Sequence, residues 1–248
     1  MKYTTLDSNL FIRNRELLSR KLDNKSIAIF NSNDVMPTNS DGTMPFKQNS
    51  DLFWLTSVDQ EESVFVMIKH NDLIKEILFL KETNEHIAIW EGAKLTKEKA
   101  NKNSGIQQVY WLTEMEKIIH NEITVLEKIY LNKNMHSRST SEVQTRDDRF
   151  RETMISQFPN KEIKEIAPIM HELRFIKSDL EVALIQHACN ITDKGLRRIL
   201  PLIKPGIMEY EIEAELMHEF LSNRSAGFAY QPIIGSGIDS CVLHYIDN

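Results

Sequence analysis

Tyr230, His244 and Tyr245 share the stretch YQPIIGSGIDSCVLHYIDN at 230–248, on either side of a Gly-Ser-Gly bend at Gly235–Gly237. His244 follows the apolar run Cys241, Val242 and Leu243, which reads as the end of a strand. A neutral imidazole placed there donates one N–H and accepts at its other nitrogen. It suits a group that steadies a developing oxyanion or orients a substrate carbonyl. The alternative role is a core histidine satisfied by a backbone carbonyl. A single histidine provides no pair of metal ions and no strong base for water, so His244 by itself is a helper and not a complete catalytic centre.

Other chemistries are excluded by spacing. HELRF from His171 and HEFLS from His218 begin like a zinc-peptidase helix but lack the second histidine four residues on. The Gly235-Ser236-Gly237 bend is followed by neither a Gly-x-x-Gly nor a Gly-Lys-Ser/Thr continuation, so no dinucleotide or triphosphate cradle is present. Ser236 has glycine on both sides at the wrong offset for a Gly-x-Ser-x-Gly elbow. Cys189 and Cys241, far apart and without Cys-x-x-Cys spacing, read as reduced structural thiols.

The elements that must position these groups fall into two regions. Phe11, Leu17, Leu18 and Leu22 lie on one helical face. Four apolar runs with polar boundaries then read as buried strands, at 26–30, 52–58, 63–68 and 76–80. Helical patterns at 94–103, 113–121 and 141–157 interleave with apolar runs at 109–112 and 125–131, which predicts an α/β layer domain over 1–165. A second domain is expected over 166–248. Its long helix starts at a capping box, Ser178 and Glu181, and buries Leu180, Leu184, His187, Ile191, Leu196 and Ile199. PLIKPG at 201–206 ends it, a further helix carries Ile212, Leu216, Phe220 and Leu221, and a strand, a glycine bend and a second strand close the chain.

Composition narrows the class. The 248 residues are 41% hydrophobic and 27% charged, as in a globular protein. A net charge of -6 argues against a nucleic-acid partner, and the basic cluster at 94–102 reads as a solvated helix face. Charges interrupt the N-terminal stretch MKYTTLDSNLFIRNREL where a leader would be apolar, and no run reaches the ~20 apolar residues of a membrane span. The expectation is a cytoplasmic protein with no membrane partner.

Several phrases together resemble a known family. DGTMPFKQNSDLFWLTSVDQEESVFVM at 41–67 is similar to the D-x-x-Y-P-F-R-Q-N-S-x-F-x-Y-L-T-G phrase of the aminopeptidase P group, with departures at Met44, Lys47 and Val58. FLKETNEHIAIWEG at 79–92 looks like that domain's next hallmark. LRFIKSDLEVALIQHACNIT at 173–192 is similar to the R-x-I-K-S-x-x-E helix that opens the catalytic domain. YQPIIGSGIDSCVLHYIDN resembles Y-x-x-I-V-x-x-G-x-N-A-x-x-L-H-Y-x-x-N, with Asp239 where asparagine is usual and Met208 upstream where a helix-capping threonine often stands. The match runs in order from about Asn9 to Asn248.

The resemblance implies an Xaa-Pro aminopeptidase of the creatinase and methionine aminopeptidase superfamily. The implied fold is an α/β N-terminal creatinase-like domain followed by the beginning of an α+β pita-bread catalytic domain. The implied substrate is a peptide with proline second, and the implied cofactor is two divalent metal ions, often manganese, held by two aspartates, a histidine and two glutamates. A bridging hydroxide attacks the scissile carbonyl in such enzymes. All five ligands are expected beyond Asn248, so none of the present residues is assigned as a metal ligand, and the 248-residue chain is expected to be inactive alone. By the same resemblance His244 hydrogen-bonds substrate near the metals and Tyr230 lines the pocket. Trp90 matches a tryptophan that reaches a neighbouring subunit of a homo-oligomer, the alternative being a buried anchor of its own domain. Rival readings are a non-catalytic peptidase-like binding module and a creatinase-like hydrolase that uses histidine without metal.

Overall fold

A computed structural model of the chain describes residues 5–71, 73–136 and 141–248. Residues 1–4 of the N-terminal stretch read against a leader lie outside these. The chain divides into two compact units, with Leu6–Ile176 in one and Lys177–Asn248 in the other.

The first unit is a six-stranded mixed sheet with helices on both faces. Helix α1 (Ser8–Lys21) is capped by the Asp7 carboxylate, which accepts from the Asn9 N–H. Strand β1 (Ser26–Asn31) follows, then α2 (Ser50–Thr56), β2 (Val64–His70), β3 (Leu73–Leu80), α3 (Glu85–Glu91), α4 (Lys97–Ser104), β4 (Gln108–Trp111), α5 (Met115–Thr124), β5 (Lys128–Leu131), α6 (Arg146–Gln157), β6 (Glu162–Glu165) and α7 (Ala167–Phe175). The strand order is β4-β3-β2-β1-β5-β6. The β1–β2 and β2–β3 pairs are antiparallel, and the β1–β5, β5–β6 and β3–β4 pairs are parallel. Alternation along β1 sends Ala28 and Phe30 to a cluster under α1, α2, α4 and α7. Ile27 and Ile29 face a second cluster under α5 and α6. Two buried faces explain why these strands read as continuous apolar runs.

One expected strand is a helix. The run 52–58 was predicted to be extended, but Asn49 caps α2 by accepting from the N–H groups of Asp51 and Leu52, and Ser57 closes it at φ 62°. Leu52 and Leu55, three apart, are then both buried against the sheet. Three elements carry no clear signal in the sequence. Strand β6 is an edge strand with three charged residues of four, α3 opens at the Asn84 cap, and α7 carries Pro168 in its first turn. The first unit also runs past the expected boundary at 165, because Ile166 and Met170 of the α7 region join its core.

The first unit encloses a cation. Arg15 is 1% exposed, and its guanidinium donates to Glu76 at 2.9 Å and to the carbonyls of Leu55 at 2.8 Å and Ser104 at 2.9 Å. The two carbonyls lie at the C-terminal ends of α2 and α4, which lack helical partners there. A buried charge is tolerated only when paired and hydrogen-bonded, as here.

The N-terminus of α6 shows the reverse case, an acid that burial keeps partly protonated. Asn31 at the end of β1 donates its Nδ2 to Asp147 Oδ1 at 3.0 Å, and burial above all pushes the Asp147 carboxyl up to about 6. Beside it, the Arg146 backbone N–H donates to Asp34 and its guanidinium to the Ser32 hydroxyl, both at 2.8 Å. A cavity of about 380 Å³ lies against these groups, with Lys47 and Asn33 on its wall.

The second unit contains α8 (Asp179–Ile199) and α9 (Glu209–Ser222), with short 3-10 turns at Leu200–Leu202 and Gly237–Cys241. The predicted Ser178–Glu181 capping box forms, with the Ser178 N–H donating to Glu181 at 2.8 Å and the Glu181 N–H to Ser178 Oγ at 3.4 Å. The helices meet at Gly195, where an added Cβ would lie 2.9 Å from the Phe220 ring. Arg198 bridges them to Glu215. Two expectations fail here. Of the face assigned to α8, only Ile191 and Ile199 are buried; Leu180, Leu184, His187 and Leu196 are exposed, since α9 covers only the later turns. The two closing strands do not form, because the segment finds no partner strand among the described residues of its unit. Cys189 and Cys241 are free, and exposed rather than packed.

Two measurements test this account of the first unit. Arg15→Ala leaves Glu76 and two helix-end carbonyls without donors and should cost about 3–5 kcal/mol in urea unfolding. Pairing Arg15→Met with Glu76→Gln should recover part of that loss, whereas a cost under about 1 kcal/mol for Arg15→Ala would contradict the role given to it. Because the folded carboxyl of Asp147 titrates above its ordinary value of 3.8, its contribution is fully present below that value. The contribution is lost as pH rises through about 6. Asp147→Asn should therefore gain on the order of 2 kcal/mol over the wild type at pH 7 and little near pH 4.

Candidate functional site

The residues singled out by chemistry lie in both units. His244 sits in an exposed turn of the second unit, after Leu243, which is 87% exposed. Tyr230, on the same segment, is 75% exposed. Trp90 is on α3 of the first unit, 77% exposed, with the His86 ring 6.4 Å away. Exposure overturns the alternative of Trp90 as a buried anchor.

What orders the segment around His244 is a set of side-chain bonds to α9. The Tyr245 hydroxyl lies 2.9 Å from Glu209 Oε2 and donates to it, with the Asp247 carbonyl 3.1 Å away. The other Glu209 oxygen accepts the Ser236 N–H. One turn later along α9, Glu213 accepts from Asn248 Nδ2 at 2.9 Å, which also donates to the Pro232 carbonyl at 3.1 Å. Asn248 Oδ1 in turn accepts the Ile234 N–H at 2.9 Å. Gly235 is required within this arrangement, since a Cβ would lie 2.9 Å from the Asp239 carbonyl oxygen.

The electrostatics follow from the bonds. Hydrogen bonds from Ser236, and then from Tyr245, hold the Glu209 carboxyl below its ordinary range, with desolvation opposing them. The same carboxylate, foremost through its hydrogen bond, pushes the Tyr245 phenol up to about 12. Glu209 and Glu213 were not singled out from the sequence. Their i, i+4 spacing places them on one helical face, but nothing local indicates that this face grips a segment more than twenty residues on. Met208, standing where threonine is frequent, makes no side-chain cap bond. Glu211 compensates by accepting the Met208 N–H at 2.9 Å.

These residues do not fit a metal pair. Among the described residues no group of three or more His, Cys, Asp or Glu could hold a metal ion. No helix among them is long and apolar enough to cross a membrane.

Comparison with known proteins agrees with this geometry. The aminopeptidase P N-terminal domain family matches residues 11–130, and metallopeptidase family M24 matches residues 183–248. The Xaa-Pro aminopeptidase of Escherichia coli strain K12 is 27% identical over 241 residues, covering 96% of this chain and 54% of the relative. A solved structure from Bacillus anthracis assigned to aminopeptidase P superposes with a TM-score of 0.90 at 28% identity, over 98% of this chain and 58% of the other. Aminopeptidase P from E. coli with the inhibitor Pro-Leu superposes with a TM-score of 0.85 at 25% identity, over 98% and 56%. The chain spans about half the length of the relatives it matches. The fold is therefore an α/β creatinase-like domain followed by the first part of a pita-bread domain, with residues 11–130 matching the aminopeptidase P N-terminal domain family and residues 183–248 metallopeptidase family M24.

Proposed function

We propose that this chain forms the N-terminal domain and part of the substrate pocket of an Xaa-Pro aminopeptidase, which releases the first residue of a peptide whose second residue is proline. The observation that carries this is the superposition of 98% of the chain on aminopeptidase P structures, one of them holding a Pro-Leu inhibitor. In this proposal His244 donates a hydrogen bond to the carbonyl of the scissile bond and Tyr230 forms an aromatic wall beside the peptide. The exposed position of both side chains supports those roles, since each is open to a ligand. Trp90, exposed on α3, contributes to the pocket of a neighbouring subunit in a homo-oligomer.

The working enzyme is proposed to be cytoplasmic and to use two divalent metal ions, manganese among them. Among the described residues no group of three or more His, Cys, Asp or Glu could form that centre. What this chain performs is therefore binding and orientation, and hydrolysis requires ligands beyond those it brings together. The 248 residues alone are proposed to be inactive.

Peptide binding to the chain, with histidine and tyrosine rings labelled for NMR, tests the assignments. A tripeptide with proline second should shift the His244 and Tyr230 signals, and its alanine-second counterpart should shift them less. Unmoved signals at both positions, up to saturating proline peptide, would overturn the roles given to these residues.

A further inference from the structure

We propose that Glu209 and Glu213 are positioning residues for His244: two carboxylates one turn apart on α9 clamp both limbs of the terminal segment and fix the direction in which the imidazole is presented. The proposal rests on the reading of His244 as a substrate-contacting group.

The segment from Pro232 to Asn248 makes no strand pairing among the described residues, and the bonds that tie it to another element run to α9. Its own main-chain bonds near His244 are thin. The Tyr245 N–H reaches the Val242 carbonyl only at 3.4 Å, at the weak end of the range. Bonds to α9 hold it at several points. Glu209 holds Ser236 on the incoming limb with one oxygen and Tyr245 on the outgoing limb with the other. Glu213 holds Asn248, whose amide ties back to Pro232 and Ile234 on the incoming limb. The two limbs are thus pinned to the same helix face, and His244 is the residue next to the Tyr245 pin. Each anchor uses a charged acceptor, and such bonds are roughly twice as strong as neutral ones.

Both oxygens of Glu209 are engaged by donors, which sets the test. Glutamine keeps the size of the side chain but carries no charge and only one acceptor oxygen, so Glu209→Gln loses both charge-assisted bonds and can accept from both Ser236 and Tyr245 only by sharing that oxygen. Three readings are taken on the 248-residue chain and its Glu209→Gln, Glu213→Gln and Tyr245→Phe variants. They are the titration of the Tyr245 ring signal, the backbone order parameters of residues 242–246 and the His244 response to a proline-second tripeptide. In the wild type the phenol should titrate near 12, and in Glu209→Gln it should fall toward its ordinary value of 10.0. Order parameters should drop from about 0.85 to below about 0.6 in Glu209→Gln and in Tyr245→Phe. The peptide response of His244 should weaken with them, while the α8–α9 pair keeps its helical signal.

Unchanged order parameters and an unchanged His244 response in both Glu209→Gln and Tyr245→Phe would overturn the proposal. A wild-type chain whose His244 ignores the peptide, but whose segment still loosens in Glu209→Gln, would overturn the functional reading and with it the purpose of the clamp, leaving the mechanics alone.

Discussion

A guanidinium that water cannot reach dictates much of the first unit. Arg15 has its charge sealed beneath α1, and sealing a charge is unfavourable unless every donor finds an acceptor. The acceptors come from three separate places in the chain: Glu76 on β3, the last turn of α2 and the last turn of α4. Those helix ends carry carbonyls with no helical partner, so one side chain resolves two shortages at once. The sheet, with apolar residues on both faces, supplies the bulk of the burial. The arginine decides how α1, α2 and α4 are arranged on one of those faces.

The second unit solves its problem differently. Two helices pack closely at Gly195, yet the segment that bears His244 runs without a partner strand among the described residues. Its order comes from side chains that accept backbone and side-chain donors: Glu209 from Ser236 and Tyr245, and Glu213 from Asn248. Such anchoring responds to protonation in a way that a backbone ladder does not. The Glu209 carboxyl titrates below its ordinary range, so its hold is present above the ordinary glutamate value and lost as pH falls through the lowered one. The Tyr245 proton is retained until pH approaches about 12. Between those limits the clamp is closed.

Much of this was legible in the sequence, and the failures share a cause. Strands β1, β2 and β3 announce themselves as short apolar runs, and the Ser178–Glu181 pair marks the start of α8. These signals are local. The run at 52–58 is equally apolar, but Asn49 before it and Ser57 within it turn it into a capped helix, a distinction carried by two polar residues. Strand β6 exists only because β5 pairs with it. The exposed first turns of α8 and the closing segment show the converse, apolar pattern that meets no partner among the described residues. For the candidate site, His244 is singled out by its setting and by the family phrase around it. Glu209 and Glu213 were not, because their role lies in contacts across a loop that spacing does not encode.

The proposal at the centre of this account is that the chain orients a peptide while its described residues bring together no metal centre to cleave it. Release of the first residue from an Xaa-Pro peptide by the purified 248-residue chain, measured with and without added manganese, addresses that claim most directly. No release above the metal-only control is predicted under either condition. Manganese-dependent turnover by this chain alone would contradict the account, since it would require a metal site that its described residues do not form.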